Sequence, residues 1–246
     1  MPLKAAPEHQ ALLLELQALD TRLGQLTHRA ATLPEAAAVD ELTMRRDDLH
    51  AVVRDHTGAW EDAKAELTRT ESDVAVVEAR IARDQERLQA TSSQKDIQAL
   101  EQELAALAKR RSDLEDIELE VMQTVEDRSA ELEASRAALA ALDVSVAEAQ
   151  AARDAATDAI AAERRQTEDD RGVVAARVPA ELLALYEKQR ARYGVGASHL
   201  ERGMSSATGV LLGGSDLSKV RAAAPDDVIV EEESGAILVR TAESGL

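Results

Sequence analysis

Residues 81–104 read IARDQERLQATSSQKDIQALEQEL, and this stretch decides the fold. On both sides of its centre, apolar residues recur every three or four positions, as on the buried stripe of a coiled-coil helix. Between the two stripes lies the polar segment Ala90-Thr91-Ser92-Ser93-Gln94, where the apolar repeat stops. The stretch therefore predicts two helices joined by a turn within residues 89–96.

The same 3.5-residue repeat extends outward along both helices. On the first helix it passes through Leu42, Leu49, Val53, Trp60, Ala63, Leu67, Val74, Val77, Ile81 and Leu88, with Arg46, His56, Thr70 and Asp84 as its polar members. On the second it passes through Ile97, Leu100, Leu104, Leu107, Leu114, Val121, Val125, Leu132, Leu139, Leu142 and Val146, with Arg111, Glu118, Arg128 and Ser135. A repeat of this length indicates helices that supercoil about each other.

An antiparallel hairpin centred at Gln94 aligns the two repeats. In this register Leu88 lies opposite Leu100 and Leu67 lies opposite Val121. Each pair joins an a position to a d position, as antiparallel packing requires. We therefore expect an intramolecular hairpin, in a monomer or a weak dimer, rather than a parallel homodimer.

A shorter apolar series predicts an N-terminal helix. The series is Leu12, Leu16, Leu19, Leu23 and Leu26. Pro34 is expected to end or kink this helix near residues 32–33. Leu13 lies off the series, so we expect a charge to be tolerated better at Leu13 than at Leu67.

The end of the second long helix sets the predicted domain boundary. Beyond Val146 the helix is rich in alanine, and Gly172 is expected to end it. We predict one domain over residues 1–172, with the N-terminal helix and the hairpin, and a second over residues 173–246. Pro179 is expected to open a short helix in the second domain.

From Gly194 onward, frequent glycines indicate loops and short elements. Residues 210–212 predict a strand, residues 216–222 a short helix, and residues 228–240 a β-hairpin with its turn near 233–235. The alternating apolar residues of that hairpin are Val228, Val230, Ile237 and Val239. We expect this face to pack on the strand at 210–212 and on the short helix.

Composition limits the classes of function. The chain has no Cys, which excludes disulfides, a cysteine nucleophile and thiolate metal sites. Its formal net charge is −18, and residues 172–246 hold 8 Lys and Arg against 10 Asp and Glu. Such a surface repels phosphate and opposes binding to nucleic acid or anionic membranes. Neither a signal peptide nor an apolar membrane span is visible, so we expect a cytoplasmic protein.

Several segments in order carry a family resemblance. They are ARDQERL at 82–88, SSQKDIQALEQEL at 92–104, LYEK at 185–188, GVGA at 194–197 and GAILVRT at 235–241. Across nearly the whole chain they resemble the bacterial family that joins a coiled-coil helical hairpin to a C-terminal four-cysteine zinc ribbon. The resemblance implies a mainly α fold with a small zinc-ribbon-like β module.

The resemblance also implies four zinc ligands, which this sequence lacks. The corresponding residues are Ser205, Thr208, Glu231 and Ser234. Hydroxyl groups are poor Zn²⁺ ligands, and one carboxylate cannot hold a tetrahedral site. We therefore expect neither zinc nor another cofactor. A hard cation on Glu231–Glu233 is the alternative to a solvated acidic turn.

No set of residues suggests catalysis. The histidines His9, His28, His50, His56 and His199 lack metal-ligand spacing. The pair Gly213-Gly214 lacks the Lys-Ser/Thr continuation of a phosphate-binding loop. We expect no enzymatic activity.

Two binding functions remain. The first is an adaptor that docks protein partners through the hairpin and the terminal module; the resemblance agrees, since family members are regarded as adaptors or chaperones linked to transcription, secretion or RNA. The alternative is a regulator that binds RNA or DNA through the ribbon-like module.

Some individual residues could contribute to binding. Tyr186 and Tyr193 could stack a base, and the basic clusters Arg45-Arg46 and Lys109-Arg110-Arg111 could contact a partner, although ion pairing within the helices is the simpler role of these clusters. Trp60, on the repeat, is expected to pack in the seam.

Overall fold

The structure is a computed structural model that describes residues 3–246. It contains helices α1 (Pro7–Ala31), α2 (Pro34–Ala90), α3 (Gln94–Arg177), α4 (Ala180–Tyr193) and α5 (Gly214–Ala222), and strands β1 (Ala197–Glu201), β2 (Met204–Ser205), β3 (Ile229–Val230) and β4 (Ile237–Arg240). A short 3₁₀ turn follows at Ala242–Ser244. The protein is thus mainly helical, with a long helical hairpin and a small C-terminal sheet.

The contacts divide the chain into two compact units. The hairpin unit is Glu35–Ala152, and the terminal unit contains α1 together with Arg153–Leu246. Helix α3 contributes residues to both units. The boundary that we predicted after residue 172 lies inside α3, and α1 belongs with the C-terminal elements.

The breaks around the hairpin lie where the sequence places them. Helix α1 ends at Ala31 and α2 begins at Pro34, so the predicted interruption is confirmed. Helices α2 and α3 are separated by residues 91–93, within the predicted turn. There the Ser93 carbonyl accepts a hydrogen bond from Ile97 N at 2.9 Å, which is the first backbone hydrogen bond of α3.

The 3.5-residue repeat predicts the seam of the hairpin. Every position of the repeat from Leu42 to Leu88 is buried or half-buried, Trp60 included. On α3 the exceptions are Arg111 and Arg128, whose long side chains keep their charged ends in water. Their guanidinium groups pair with Glu115 and Glu131 of the same helix.

A polar contact across the seam agrees with the predicted register. His56 lies opposite Leu132 in that register, and its Nδ1 is 3.3 Å from both the Glu131 carbonyl and Ser135 Oγ, on either side of Leu132. Arg80 of α2 also pairs with Glu103 of α3. The antiparallel arrangement is therefore fixed by polar contacts as well as by apolar pairs.

The terminal unit has a core drawn from both ends of the chain. Its buried members are Ala5, Leu12, Leu13, Leu16, Val174, Val178, Leu182, Tyr186, Ala197, Ile237 and Val239. Leu13 is 0% exposed, so its place off the apolar series is no basis for expecting a charge to be tolerated there better than at Leu67. Helix α1 packs on helices and on the sheet, and it therefore buries a wider stripe than a coiled-coil repeat defines.

Helix α3 ends later than we predicted. It continues through Gly172 to Arg177, and Pro179 then precedes α4 as expected. A glycine inside a helix costs about 1 kcal/mol relative to alanine, but burial of Val174 and Val178 beyond it offsets that cost. The helix stops because a residue before proline disfavours the α conformation.

The sheet has the strand order β2-β1-β4-β3. Strands β3 and β4 are antiparallel, with Ile229 opposite Leu238, which confirms the predicted hairpin. Strand β1, which the sequence did not indicate, runs parallel to β4. The predicted strand at 210–212 is wrong: only Leu211 forms an isolated bridge, to Met204.

Both faces of β4 are covered, and this changes the predicted packing. Ile237 and Val239 join the core with α1 and α4. Leu238 points to the other face, where it packs with Val220 of the confirmed helix α5. The expectation that Ile237 and Val239 would face α5 is therefore wrong, because the uninterrupted apolar run of β4 serves two cores.

Candidate functional site in the terminal unit

Three of the four positions implied by the zinc-ribbon resemblance meet in one cluster. Ser205 Oγ donates a hydrogen bond to Glu231 Oε2 at 2.8 Å. Ser234 Oγ donates to the same carboxylate oxygen. Thr208 stands apart from this contact, and its Oγ1 accepts from Val210 N at 3.3 Å. We call Ser205, Glu231 and Ser234, with the neighbouring Ser198, the hydroxyl–carboxylate cluster.

Local backbone geometry brings the cluster together. Ser205 lies on β2, where its N–H bonds to the Val210 carbonyl at 3.1 Å and its carbonyl accepts from Gly209 N. Glu231 directly follows β3, and its N–H bonds to the Ala236 carbonyl across the β-hairpin. The turns at residues 205–209 and 231–235 therefore meet at the cluster.

Proton counting fixes the direction of the hydrogen bonds. Ser198 Oγ lies 2.8 Å from Ser205 Oγ. Because the single hydroxyl proton of Ser205 goes to Glu231, Ser198 must be the donor to Ser205. Ser198 Oγ also accepts from Ala207 N at 3.0 Å. The sequence reasoning missed Ser198, whose only signal is its place beside Ala197 in an unrecognised strand.

The donor set of the cluster does not fit a structural zinc ion. It offers one carboxylate and neutral hydroxyls, and these groups are already bonded to each other. In the part of the chain that the structure describes, no group of three His, Asp or Glu residues has metal-binding geometry. The cluster can hold the two turns together through hydrogen bonds alone.

A second polar network joins α1 to α3 and α4. Asp20, with a side chain 5% exposed, accepts from Arg171 Nε at 2.7 Å and from Tyr186 Oη at 2.7 Å. Arg190 Nη1 approaches the same carboxylate at 3.2 Å. Glu187 accepts hydrogen bonds from Arg171 Nη2 and from Arg190 Nε and Nη2. The role of Asp20 could not be predicted from the sequence, because its partners lie more than 150 positions away.

The electrostatics of this network favour the charged forms of Arg171 and Glu187 and the neutral form of Tyr186. The hydrogen bond to Asp20 raises the pKa of Arg171, although burial acts in the opposite direction. Burial and then the hydrogen bond to Asp20 raise the pKa of Tyr186. Burial opposes ionisation of Glu187, but the hydrogen bonds from Arg171 and Arg190 outweigh it and lower the pKa of Glu187.

The two tyrosines have packing roles. Tyr186 is fully buried, so the proposed stacking of a base on its ring is wrong. Gly196 packs directly on that ring, where a side chain would overlap it. Tyr193 is partly exposed, but Gly235 lies against its ring and Arg192 approaches the ring centre at 5.0 Å.

The basic clusters and the remaining predicted positions lie in ordinary surroundings. Arg45 pairs with Glu41 at 2.6 Å and Arg111 with Glu115 at 3.1 Å, each four residues away on its own helix. His199 Nε2 lies 2.8 Å from Thr241 Oγ1. These contacts are those of a solvated helical surface and of a strand end.

A groove lies beside the hydroxyl–carboxylate cluster. It encloses about 150 Å³ between α5, residues 208–213 and the β3–β4 hairpin. The carboxylates of Asp216, Glu232 and Glu233 line it together with exposed apolar side chains of Val210 and Leu211. The groove thus presents apolar and acidic side chains together.

Comparison with known proteins supports the hairpin. The CT398-like coiled coil hairpin domain matches residues 16–194. An uncharacterized protein of Mycobacterium tuberculosis is 35% identical over 239 residues, which are 97% of this chain and 98% of that protein. An uncharacterized protein of Mycobacterium leprae is 26% identical over 220 residues, 89% of this chain and 95% of that protein.

Two solved structures share the fold. A Mycobacterium smegmatis protein superposes with a TM-score of 0.84 at 33% identity, over 97% of this chain and all of that one. CT398 from Chlamydia trachomatis superposes with a TM-score of 0.62 at 18% identity, over 94% of this chain and 97% of that one. No helix within residues 3–246 combines the length and the apolar character that crossing a membrane requires.

Proposed function

Because the chain belongs to the family of the CT398-like coiled coil hairpin domain, we propose that it is a non-catalytic adaptor that docks protein partners. Two surfaces take part in the docking, one on the helical hairpin and one on the terminal unit. The polar side chains that converge inside the terminal unit bond to each other, so they serve its architecture rather than a reaction.

The observation that carries this proposal is the set of large apolar side chains left at the surface. Leu211 of the terminal unit is 68% exposed and Leu119 of the hairpin is 65% exposed. Met204, Val210 and Val230 accompany Leu211 at the surface of the terminal unit. Apolar side chains that gather on a surface in this way are typical of sites for protein partners.

We further propose that the hydroxyl–carboxylate cluster takes the place of the metal in a zinc-ribbon-like module. Ser205, Glu231 and Ser234 correspond to three of the four ligand positions, and both serines donate hydrogen bonds to Glu231. In a zinc ribbon the metal holds two turns together. In this chain hydrogen bonds to one carboxylate hold the corresponding turns.

A photo-crosslinking amino acid at Leu119 or at Leu211 of the full chain, in cells that naturally contain it, tests the adaptor function. We expect each position to give protein adducts, whereas the same group at the fully buried Leu13 should give none beyond the chain itself. An absence of protein adducts at both exposed positions would contradict the function.

Binding of RNA or DNA is the competing function. The groove of the terminal unit is lined by Asp216, Glu232 and Glu233, which repel phosphate. We expect labelled RNA and DNA to show no mobility shift with the full chain even at low salt. Tight binding that weakens steeply with salt would favour this competing function over the adaptor.

A further inference from the structure

The groove of the terminal unit has an apolar floor that is already packed. Val220 of α5 and Leu238 of β4 form it and are almost fully buried. They belong to the smaller core cluster of the unit, together with Leu200. The floor is therefore fixed by the fold and does not need a ligand to form.

The wall behind α5 is held by one guanidinium group. Arg240 donates hydrogen bonds to the carbonyls of Ala223 at 3.0 Å, Ala224 at 2.7 Å and Asp227 at 2.9 Å. These carbonyls lie between α5 and β3, the two sides of the groove. Arg240 thus anchors the segment that connects the two sides of the groove.

The volume and the upper walls suit one large apolar side chain. The groove encloses about 150 Å³, and an apolar cavity of this size can hold a benzene molecule. Val210 and Leu211 rise at its entrance, 53% and 68% exposed. A side chain that entered the groove would cover both of them and would reach Leu212 below.

The charge of the rim selects the neighbours of that side chain. Asp216, Glu232 and Glu233 border the groove, with Lys219 as the cation among them. Lys219 pairs with Asp216 at 2.8 Å and lies 3.8 Å from Glu232, so Glu233 keeps its charge for an incoming cation. Complementary charge at the rim of an interface favours one class of partner over another.

We propose that this groove binds a protein segment that presents one large apolar side chain between Lys or Arg residues. The apolar side chain enters between α5 and the β-hairpin, and its basic neighbours contact the acidic rim. This inference rests on the adaptor function and names the surface of the terminal unit that recognises the partner.

The test uses the full chain with labelled Leu and Val methyl groups. The probe is a short synthetic peptide with a central Leu between pairs of Lys. We expect saturable shifts of the Leu211, Leu212 and Val220 methyl signals, and an affinity that falls as salt increases. Two control peptides, with Ala for the Leu or with Glu for the Lys, should produce no saturable shift.

Matched variants separate the groove from the general surface. Leu211→Ser should weaken binding of the probe by about tenfold or more, since it removes apolar contact at the entrance without adding a charge. Leu119→Ser, at a leucine of similar exposure in the hairpin, should leave the affinity unchanged. Glu233→Lys should weaken binding, while Glu133→Lys on α3 should not.

Several outcomes would overturn the inference. They are shifts that do not saturate, equal responses to the three peptides, equal losses in Leu211→Ser and Leu119→Ser, and saturable shifts of the same methyl signals when single-stranded RNA is added without the peptide. Glu233 and Leu211 are exposed, so both variants should fold, and circular dichroism checks this. If the groove fails while crosslinks from Leu119 persist in cells, the adaptor function stands without this surface.

Discussion

The hairpin unit and the terminal unit use apolar residues in different ways. In the hairpin, two helices share one seam, and a seam residue such as Leu67 remains half-buried. In the terminal unit, Leu13 meets helices and strands together and loses all contact with water. A linear repeat thus produces a thin core that tolerates change, whereas distant segments of the chain produce a compact core that does not.

Substitution of a leucine by aspartate in each unit tests this difference most strongly. Leu13→Asp should lower the free energy of unfolding of the terminal unit by about 5 kcal/mol, because the carboxylate cannot reach water. Leu67→Asp should lower that of the hairpin by about 2 kcal/mol, because its position is only half-buried. Urea unfolding can be followed separately, by fluorescence of Trp60 in the hairpin and by near-ultraviolet dichroism of the two tyrosines in the terminal unit. Equal losses would remove the contrast between the cores.

The buried aspartates of the two units should respond in opposite directions. Asp20→Ala should cost the terminal unit about 3 kcal/mol, since Arg171 and Arg190 lose their shared partner. Asp84 lies in the hairpin seam, where the exposed Arg80 and Arg87 approach its carboxylate but Oδ2 accepts no hydrogen bond. Asp84→Leu should therefore raise the unfolding midpoint of the hairpin measured by Trp60 fluorescence. A destabilised Asp84→Leu variant would show that the seam needs this charge.

Glycine-to-alanine substitutions sharpen the comparison at smaller scale. Gly196→Ala should destabilise the terminal unit by about 2 kcal/mol, because the new methyl group would overlap the ring of Tyr186. Gly58→Ala should stabilise the hairpin by about 1 kcal/mol, because this helical glycine has open space around it. The same two spectroscopic probes report both changes. A stable Gly196→Ala variant would mean that the ring can move.

Acid should weaken the terminal unit through Glu187. Its pKa is lowered in the folded state, so the stability it contributes is complete above its unfolded pKa of about 4.3 and is lost as pH falls through the folded value. Thermal melts followed by tyrosine dichroism between about pH 6 and pH 3 should show a smaller loss in Glu187→Gln than in the unaltered protein. Parallel losses in the two proteins would assign the acid sensitivity to other groups.

Removal of metal should have no effect on either unit. The hydroxyl–carboxylate cluster is satisfied by its own hydrogen bonds, so a chelator should leave the melting curves unchanged. Elemental analysis should find zinc well below one equivalent per chain. Stoichiometric zinc, or loss of tyrosine dichroism on adding chelator, would refute this prediction.

Periodicity explains what could be predicted in the hairpin. Its packing depends on residues three and four positions apart, so the seam and the turn could be predicted from the spacing of residues such as Leu88 and Leu100. The late end of α3 could not, because Val174 and Val178 gain their burial from elements far along the chain. Tertiary packing there outweighs the helix-ending tendency of Gly172.

The terminal unit could be predicted only in part. The β3–β4 hairpin has local alternation and a short turn, which the sequence displays. Strand β1 pairs in parallel with β4, nearly 40 positions later, and its residues Ala197-Ser198-His199 carry no apolar run. The residues of the cluster around Glu231 could be located only through the family resemblance, which names positions where this chain has other residues in place of the family's cysteines.

The packing of α1 against β4 has a consequence for synthesis of the chain. Helix α1 is synthesised long before Ile237 and Val239, with which Leu13 shares a core. The hairpin can assemble from its local contacts while α1 still exposes its leucines to water. During that interval the leucines of α1 need protection from aggregation, and the synthesis of β4 determines when that need ends.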